Sequence, residues 1–302
     1  MRNFISEHHQ EWQDKIHGLD DLIAWISQNK LLIDQNPAAF SCLESAVLHG
    51  IAQQHQCSVA KLLGINNDNK IRLAALLQRG RPEQFMLQLT IYEQHSFSCF
   101  KVELDGNFKT DNLKLNLLAS TGYDHVQIDA RNIWSSPIDL ASYIKNLPLS
   151  PYSIENPFNK IDHEMLIELS NIQSSRVVLD ESILTTHNTN VFKENSERFI
   201  VNLRISRLGG LLRTLNMMQH AKKLGFDIII GSVMGETDLS QNISKLAAIA
   251  AGDRLVSHEG AFEIYMLNTD MYKLSLSTDI NDDSGIPQFD KEHQLQYIKR
   301  IS

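Results

Sequence analysis

Cysteine is scarce in this chain of 302 residues, which contains only Cys42, Cys57 and Cys99. The number is odd and no two cysteines form a C-x-x-C pair, so neither a disulfide framework nor a cysteine-rich zinc site is predicted. We interpret the three as buried thiols of a protein that works in a reducing compartment. The sequence therefore favours a cytoplasmic location.

Long apolar runs and an excess of basic charge are also missing. The amino-terminal stretch MRNFISEHHQEWQDKIHG has no apolar segment of signal-peptide length, and no other run approaches about 20 apolar residues. The net charge is -8 with Lys and Arg scattered, which argues against a nucleic-acid partner. The sequence contains no basic amphipathic helix of the kind that binds a membrane surface. The sequence thus predicts a globular protein without a nucleic-acid or membrane partner.

Helical patterns fill the chain up to about residue 80. The segments LDDLIAWISQNKLL and AAFSCLESAVLHGIAQQ place apolar residues three and four positions apart, and Pro37 precedes the second segment. Gly80 and Pro82 then break the helical pattern. We predict a truncated, mostly helical cap region over residues 1–80 and a barrel domain over residues 81–302, whose carboxyl-terminal tail returns to the cap.

Short β-rich runs alternate with helical segments from Phe85 onward. The eight runs are FMLQLTI, CFKVEL, HVQIDA, YSIEN, RVVLDE, FIVNLRIS, FDIIIGS and DRLVSHEG. Polar residues that end five successive runs are 26, 26, 25 and 24 residues apart, which accommodates one strand, one helix and two loops. We predict an α/β fold, a (β/α)8-type barrel preceded by the helical cap. Only YEQHSFS separates the first two runs, so we expect an irregular first unit, with an incomplete or distorted barrel as the alternative fold.

Charged residues occupy the inward face of five neighbouring predicted strands, close to the carboxyl ends where the active sites of such barrels lie. These residues are Lys101, Glu103, Asp129, Glu155, Asp180 and Arg204. Four carboxylates against two cations leave two negative charges unbalanced, which is costly in a partly dry cavity. A hard divalent cation with oxygen ligands would balance them, and these residue types suit Mg²⁺. Any one such acid is more often a solvated loop residue, but three at equivalent positions in successive repeats favour a metal site.

The strand ends VQIDARNIW, SIENPF and VVLDES resemble the three metal-binding strand ends of the enolase superfamily, in its muconate-lactonizing (mandelate racemase/muconate lactonizing enzyme) subgroup. VNLRISRLGG is similar to the sixth strand of that family and the turn after it, and SCLESAVLHGIA to the helix that closes its cap. The layout of the first hundred residues resembles above all that of o-succinylbenzoate synthases. The tail SGIPQFDKEHQLQYI also resembles the ending of the family.

The resemblance implies that Asp129, Glu155 and Asp180 hold Mg²⁺. In the family this ion binds a substrate carboxylate while a base removes the adjacent proton, and it stabilises the enediolate that forms. We therefore expect a lyase or isomerase that acts on a small carboxylate-bearing molecule. Dehydration of the o-succinylbenzoate synthase type is favoured over racemisation of N-acylamino acids or dipeptides and over cycloisomerisation. Homo-oligomerisation stays open.

The sequence departs from the family pattern at the residues that transfer protons. The second strand of the family carries lysine, any residue, lysine, whereas this chain has Lys101 followed by Glu103. Arg204 stands in place of the lysine of the sixth strand, and a guanidinium is a good cation but a poor base. Arg131 stands where an asparagine is common. We take Lys101, Glu103 and Arg204 as the candidate catalytic residues, with Lys101 as cation or substitute base.

Two histidines are weaker candidates for the missing base: His187 follows the fifth strand and His258 lies near the end of the eighth, although a plain loop position is the simpler interpretation of each. Glu236, after the seventh strand, is a candidate to approach the site. Gly209 and Gly210 either open a helix toward an anion or form a tight turn.

A non-catalytic barrel used for binding or assembly is the alternative function. In that hypothesis Arg204 pairs with Asp180 or Glu155 and replaces the ion, while Lys101 pairs with Glu103. The inward charges would then neutralise one another, and the barrel would need no metal.

Overall fold

Eight parallel β-strands form one sheet in chain order. The structure is a computed structural model that describes residues 2–65, 71–123, 125–183, 185–233 and 238–260. The strands are β1 (Ala74–Leu77), β2 (Cys99–Glu103), β3 (His125–Asp129), β4 (Ser153–Glu155), β5 (Arg176–Leu179), β6 (Phe199–Arg204), β7 (Asp227–Gly231) and β8 (Leu255–His258). Each strand pairs with the next, as expected when a helix crosses back between parallel strands.

The last strand returns to the first and closes the sheet. Leu73, directly before β1, forms a parallel bridge with His258 at the end of β8. The amide of His258 donates to the carbonyl oxygen of Arg72 at 2.8 Å. Closure leaves neither end strand as a free edge, so the predicted (β/α)8-type barrel is confirmed.

Helices precede the barrel and connect its strands. The first five lie ahead of β1: α1 (Arg2–Lys15), α2 (Leu19–Gln28), α3 (Lys30–Gln35), α4 (Pro37–Gln54) and α5 (Val59–Leu62). The others follow successive strands: α6 (Pro82–Gln94), α7 (Phe108–Thr121), α8 (Pro137–Lys145), α9 (His163–Ile172), α10 (Thr186–Asn190), α11 (Ile205–Leu208), α12 (Leu211–Lys223) and α13 (Asp238–Ala251). The predicted helical cap is present, and aromatic contacts among Trp12, Trp25 and Phe40 hold α1, α2 and α4 together.

The first βα unit differs from the prediction. The run FMLQLTI belongs to α6, where Phe85, Leu89 and Tyr92 are buried at helical spacing, and it is not a strand. The first strand is the earlier segment Ala74–Leu77, which pairs with β2 in parallel register. The expected short link and irregular first unit were therefore wrong, because a helix of 13 residues connects β1 to β2.

The position of β1 also bears on the domain boundary. Because the sheet begins at Ala74, we propose that the barrel starts before residue 81. The division of the chain into a cap region and a barrel domain stays a prediction. The predicted return of the carboxyl-terminal tail to the cap concerns residues outside the described ranges.

Alternate strand residues face two separate cores. Residues such as Val177, Leu179 and Val201 join the large core between the sheet and its helices. Residues of the opposite parity form a small apolar cluster inside the barrel: Val178, Ile200, Ile229 and Val256. The polar side chains that continue this inner parity lie nearer the carboxyl ends of the strands, as the alternation predicts.

Two predictions from composition can be compared with the described residues. None of the three cysteines forms a disulfide, but Cys42 is exposed and Cys57 half-buried, so only Cys99 fits the predicted buried thiol. Among the helices that the structure describes, none is long and apolar enough to span a membrane.

Candidate active site at the carboxyl end of the barrel

Strand register brings acidic side chains from different repeats to one end of the barrel. Glu103 pairs with Asp129, and Asp129 with Glu155, so three neighbouring strands carry an acid at the same level. Glu155 pairs with Val178, so Asp180 lies two residues farther along the chain, directly after β5. With the acid that follows β8, we call this set the acidic ring: Glu103, Asp129, Glu155, Asp180 and Glu259. All five side chains are buried.

Glu155 occupies the centre of the acidic ring and is completely buried. Its Oε1 accepts from Lys101 Nζ at 2.6 Å and from Arg204 Nη2 at 3.2 Å. Gln127 donates to its Oε2 at 2.5 Å, and the amide nitrogen of Asn202 lies 3.4 Å from both oxygens. Burial raises the pKa of Glu155 to about 8; Lys101 opposes this rise, and Glu259, Asp180 and Asp129 add to it. A negative charge here depends on its cationic neighbours.

Lys101 contacts three carboxylates of the acidic ring. Its Nζ lies 2.6 Å from Glu155, 2.9 Å from Glu259 and 3.9 Å from the carboxylate of Asp129. Burial acts to lower the pKa of Lys101, but these three carboxylates outweigh it and raise the pKa. Lys101 is therefore held as an ammonium ion. The predicted pairing of Lys101 with Glu103 is replaced by these contacts.

Asp180 is held by two arginines. Arg204 donates from Nε at 3.0 Å and from Nη2 at 2.8 Å to the two oxygens of Asp180. Arg207 donates to the same carboxylate at 2.5 Å. Burial acts to raise the pKa of Asp180, but Arg204 and Arg207 outweigh it and lower the pKa, so the carboxylate is ionised. This is the pairing of Arg204 with Asp180 and Glu155 that the alternative, metal-free hypothesis predicted.

The two remaining predicted residues, Glu103 and Asp129, both contact Arg131 in the turn after β3. Arg131 Nη1 lies 3.3 Å from Glu103, and the backbone amide of Arg131 donates to Asp129 at 2.9 Å. The backbone amide of Arg79 also donates to Glu103, at 3.2 Å. Burial raises the pKa of Asp129. Arg131 and Asn132 have φ values of 55° and 57°, so this turn stores backbone strain next to the acidic ring.

Glu259 is the member of the acidic ring that the sequence analysis missed. Ile228 pairs with Leu255 but Ile229 pairs with Ser257, so Val256 is an extra residue in β8. Such a bulge reverses the parity of the residues after it. Glu259 therefore faces inward, where alternation from Val256 would have placed His258.

His258 is correspondingly turned away from the acidic ring. Its Nε2 lies 2.8 Å from Ser244 Oγ on α13. Burial, with a smaller effect of Lys245, lowers the pKa of His258 to about 3, so the imidazole is neutral. His258 thus packs between the barrel and α13, which does not fit a base at the carboxylates. His187 is exposed on α10, and Glu236 lies outside the described residues.

Gly209 and Gly210 do open a helix toward an acidic group, and this group belongs to the chain itself. The amides of Leu211 and Leu212, at the start of α12, donate to the carboxylate of Glu44 on α4. A Cβ at Gly210 would collide with that carboxylate, and its φ of 106° also requires glycine. We call this contact between Glu44 and the start of α12 the cap junction.

The three predicted metal ligands fit a divalent cation in chemistry, since they offer only carboxylate oxygens and burial disfavours their charge. Glu259 Oε2 is buried and has no hydrogen-bond partner in the described part of the chain, so it could still accept from an ion or water. No group of three or more His, Cys, Asp or Glu is arranged to hold a metal within the described ranges. In this arrangement Lys101 and Arg204 engage oxygens of Glu155 and Asp180.

A cavity of about 30 Å³ lies beside Asp180 and is also lined by Asn132, Asn156 and Lys160. Such a volume accommodates about one water molecule, whereas small-molecule sites usually measure several hundred Å³. Substrate binding at this place would therefore need side chains to move.

Comparison with known proteins is consistent with this geometry. The family model described as "Enolase C-terminal domain-like" matches residues 86–278. The chain is 23% identical to an L-Ala-D/L-Glu epimerase of Francisella tularensis subsp. novicida over 203 residues, 66% of this chain and 57% of the relative. It is 26% identical to an N-acetyl-D-glutamate racemase of Pseudoalteromonas over 216 residues, 70% of this chain and 65% of the relative. The chain thus spans less than two thirds of the length of these relatives.

Solved structures share the fold at low identity. A dipeptide epimerase from Cytophaga hutchinsonii, complexed with Mg and the dipeptide D-Ala-L-Val, superposes with a TM-score of 0.71 at 18% identity, covering 81% of this chain and 67% of that one. An N-succinyl Arg/Lys racemase from Bacillus cereus gives a TM-score of 0.72 at 16% identity, covering 84% of this chain and 70% of that one. At these identities the likeness concerns the fold alone.

Proposed function

The chain belongs to the enolase C-terminal domain-like family, and on that premise we propose that it is a divalent-metal-dependent isomerase acting on a small carboxylate. Racemisation or epimerisation of an N-acylamino acid or dipeptide is the reaction class we favour, because curated relatives are epimerases and a racemase. Dehydration of the o-succinylbenzoate synthase type, which the sequence layout favoured, becomes the second choice.

One observation carries the proposal: Asp129 and Glu155 are paired in neighbouring strands, Asp180 directly follows the next strand, and all three are buried at the carboxyl end of the barrel. We propose these three residues as the ligands of Mg²⁺. When bound, the ion would hold the substrate carboxylate and stabilise the negative charge that develops next to it. Burying acids is costly for folding alone, so their convergence supports a site that uses their charge.

Lys101 is the residue to which we assign proton transfer. Its Nζ holds a proton firmly while Glu155, Glu259 and Asp129 face it, so in this arrangement it is a cation that cannot accept a proton. If fewer of these negative charges faced Nζ, for example because a metal ion neutralised some of them, the pKa of Lys101 would fall. Lys101 could then act as a base.

Glu103 and Arg204 complete the proposed catalytic set. Glu103 is a carboxylate acceptor at the level of Asp129 in the neighbouring strand. Arg204 supplies a permanent cation whose planar fork suits a substrate carboxylate or an enediolate.

A non-catalytic binding function is the second candidate, and one specific observation favours it. Arg204 spans Glu155 and Asp180, the position that a cation would otherwise take between them. In that case the acidic ring is a set of internal ion pairs, and the barrel serves to bind a partner.

Calorimetric titration of Mg²⁺ into metal-stripped protein tests the proposal, with Asp180→Asn as the site variant and Glu181→Gln as the matched control on the adjacent exposed residue. We expect binding in the parent and in Glu181→Gln, and none in Asp180→Asn. Exchange of a substrate α-proton with solvent deuterium, over a panel of N-acylamino acids and dipeptides, then tests the reaction. If the folded parent, its Glu181→Gln control and Arg204→Ala all fail to bind Mg²⁺, the metal-dependent function is excluded and the binding function is preferred.

A further inference from the structure

The guanidinium of Arg204 lies where two of the proposed metal ligands meet. Its Nη2 donates to Asp180 Oδ2 at 2.8 Å and to Glu155 Oε1 at 3.2 Å, so one nitrogen bridges carboxylates from two strands. Its Nε donates to the other oxygen of Asp180 at 3.0 Å, and its Nη1 donates to the carbonyl oxygen of Ser232 at 2.5 Å. Every nitrogen of the guanidinium is therefore anchored, and two of the three hold the carboxylates.

The bridged oxygen of Glu155 is shared with a second cation. Glu155 Oε1 also accepts from Lys101 Nζ at 2.6 Å, so the same atom contacts an ammonium and a guanidinium. A carboxylate oxygen has a limited number of lone-pair directions, and those of Glu155 Oε1 are taken up by these contacts. A metal ion could not coordinate this oxygen and the oxygens of Asp180 while Arg204 keeps its place.

The net charge of the acidic ring and its cationic neighbours also favours exchange of Arg204 for the ion over binding of both. Five carboxylates face four cationic side chains in contact with them: Lys101, Arg131, Arg204 and Arg207. With all five acids ionised, one negative charge is left over. Exchanging a singly charged guanidinium for a doubly charged ion would cancel it, whereas adding the ion with Arg204 in place would overshoot.

We infer that Arg204 is an internal competitor of the divalent cation, which binds Glu155 and Asp180 only when the guanidinium leaves them. This inference rests on the proposed function, because it presupposes that the carboxylates hold a metal. It goes beyond that function by assigning to Arg204 control over whether the site is loaded. The guanidinium reaches these carboxylates through rotatable side-chain bonds, so a change of rotamer of Arg204 would release them.

The test is calorimetric titration of Mg²⁺ into the metal-stripped full chain carrying Arg204→Ala or Arg204→Lys, compared with the parent. Arg131→Ala is the matched control, because it removes the same charge from the acidic ring without freeing an oxygen of Glu155 or Asp180. We expect Arg204→Ala to bind Mg²⁺ about tenfold more tightly or better, since one hydrogen bond between charged groups is worth roughly that factor. Arg204→Lys, which keeps the charge but loses the fork, should lie between.

Thermal unfolding supplies a second readout that does not depend on activity. In EDTA, Arg204→Ala should melt below the parent, because Glu155 and Asp180 lose a partner, and MgCl2 should restore more of its Tm than it adds to the parent. Equal Mg²⁺ affinity in the parent, Arg204→Ala and Arg204→Lys would overturn the competition and leave the proposed metal site standing. An equal gain in Arg131→Ala would likewise overturn it, because a general charge effect would then suffice. No binding in any folded variant would overturn the proposed function and this inference together.

Discussion

The acidic ring and the cap junction both bury carboxylates, but they balance the charge in different ways. Asp180 faces the guanidinium groups of Arg204 and Arg207, and its pKa is lowered because those cations outweigh burial. Glu44 faces the backbone amides of Leu211 and Leu212, and its pKa is raised to about 8 because burial outweighs those two donors. One carboxylate is therefore an ion and the other is largely neutral at pH 7.

The partners of these two carboxylates differ in how freely they can move. Backbone amides at the start of α12 are fixed by the helix, so Glu44 has partners that can neither leave nor be replaced. The partners of Asp180 are long side chains that reach it through several torsions. The cap junction is therefore suited to hold the cap on the barrel, whereas the cation exchange that we propose requires partners such as those of Asp180.

Removal of the charge of Asp180 should have the largest effect on stability. In metal-free protein, Asp180→Asn leaves Arg204 and Arg207 without their shared carboxylate, and a broken buried pair costs about 3–5 kcal/mol. We expect the free energy of unfolding in urea to fall by about that amount. Glu181→Gln, one residue along the chain and exposed, should stay within about 0.5 kcal/mol of the parent. Equal stability of Asp180→Asn and the parent would show that the arginines do not depend on this carboxylate.

The cap junction should give a pH-dependent effect of intermediate size. The folded-state pKa of Glu44, about 8, lies above the ordinary value of 4.5, so the folded protein binds the proton more tightly. Stability from this group is therefore greatest below about pH 4.5 and declines as the pH rises toward 8.

Glu44→Gln removes that titration but keeps an acceptor for the helix amides. Between pH 5 and pH 8 the parent should lose a few kcal/mol relative to Glu44→Gln, measured by urea unfolding at each pH. A constant difference between the two proteins across this range would show that Glu44 is ionised throughout.

Arg207 should give the smallest effect. It makes one hydrogen bond to Asp180 and its side chain is 27% exposed, whereas Arg204 makes two to the same carboxylate. Arg207→Ala should lower the free energy of unfolding by about 1 kcal/mol, since a partly exposed ion pair contributes little. A loss as large as that of Asp180→Asn would identify Arg207, and not Arg204, as the main partner of Asp180.

Much of the candidate site was predictable from alternation along single strands. Apolar residues at one set of alternate positions and charged residues at the other identified the inward faces of β2 to β6. This works because successive side chains of a regular strand point to opposite faces. The equal spacing of the strand ends predicted that the charged residues converge. The identity of their partners was less accessible: Lys101 was expected to pair with Glu103, yet the barrel brings it to Glu155 and Glu259.

Two errors have specific physical causes. The apolar run FMLQLTI was assigned to a strand, although short apolar runs do not distinguish a strand from a buried helix. Its burial at Phe85 and Leu89 follows helical spacing, and the true strand is a run of four residues that pairing with β2 identifies. Glu259 was missed because the bulge at Val256 reverses parity, and a bulge is a property of the pairing between β7 and β8.

The sequence by itself determined which strand ends carry charge, since alternation and repeat spacing are local properties of the chain. Tertiary structure alone decided which charges neutralise which. Barrel closure brings Glu259, 158 residues away in sequence, within 2.9 Å of Lys101. It also places Arg204 across Glu155 and Asp180. Contacts between distant strands depend on closure and register, and no single segment encodes either.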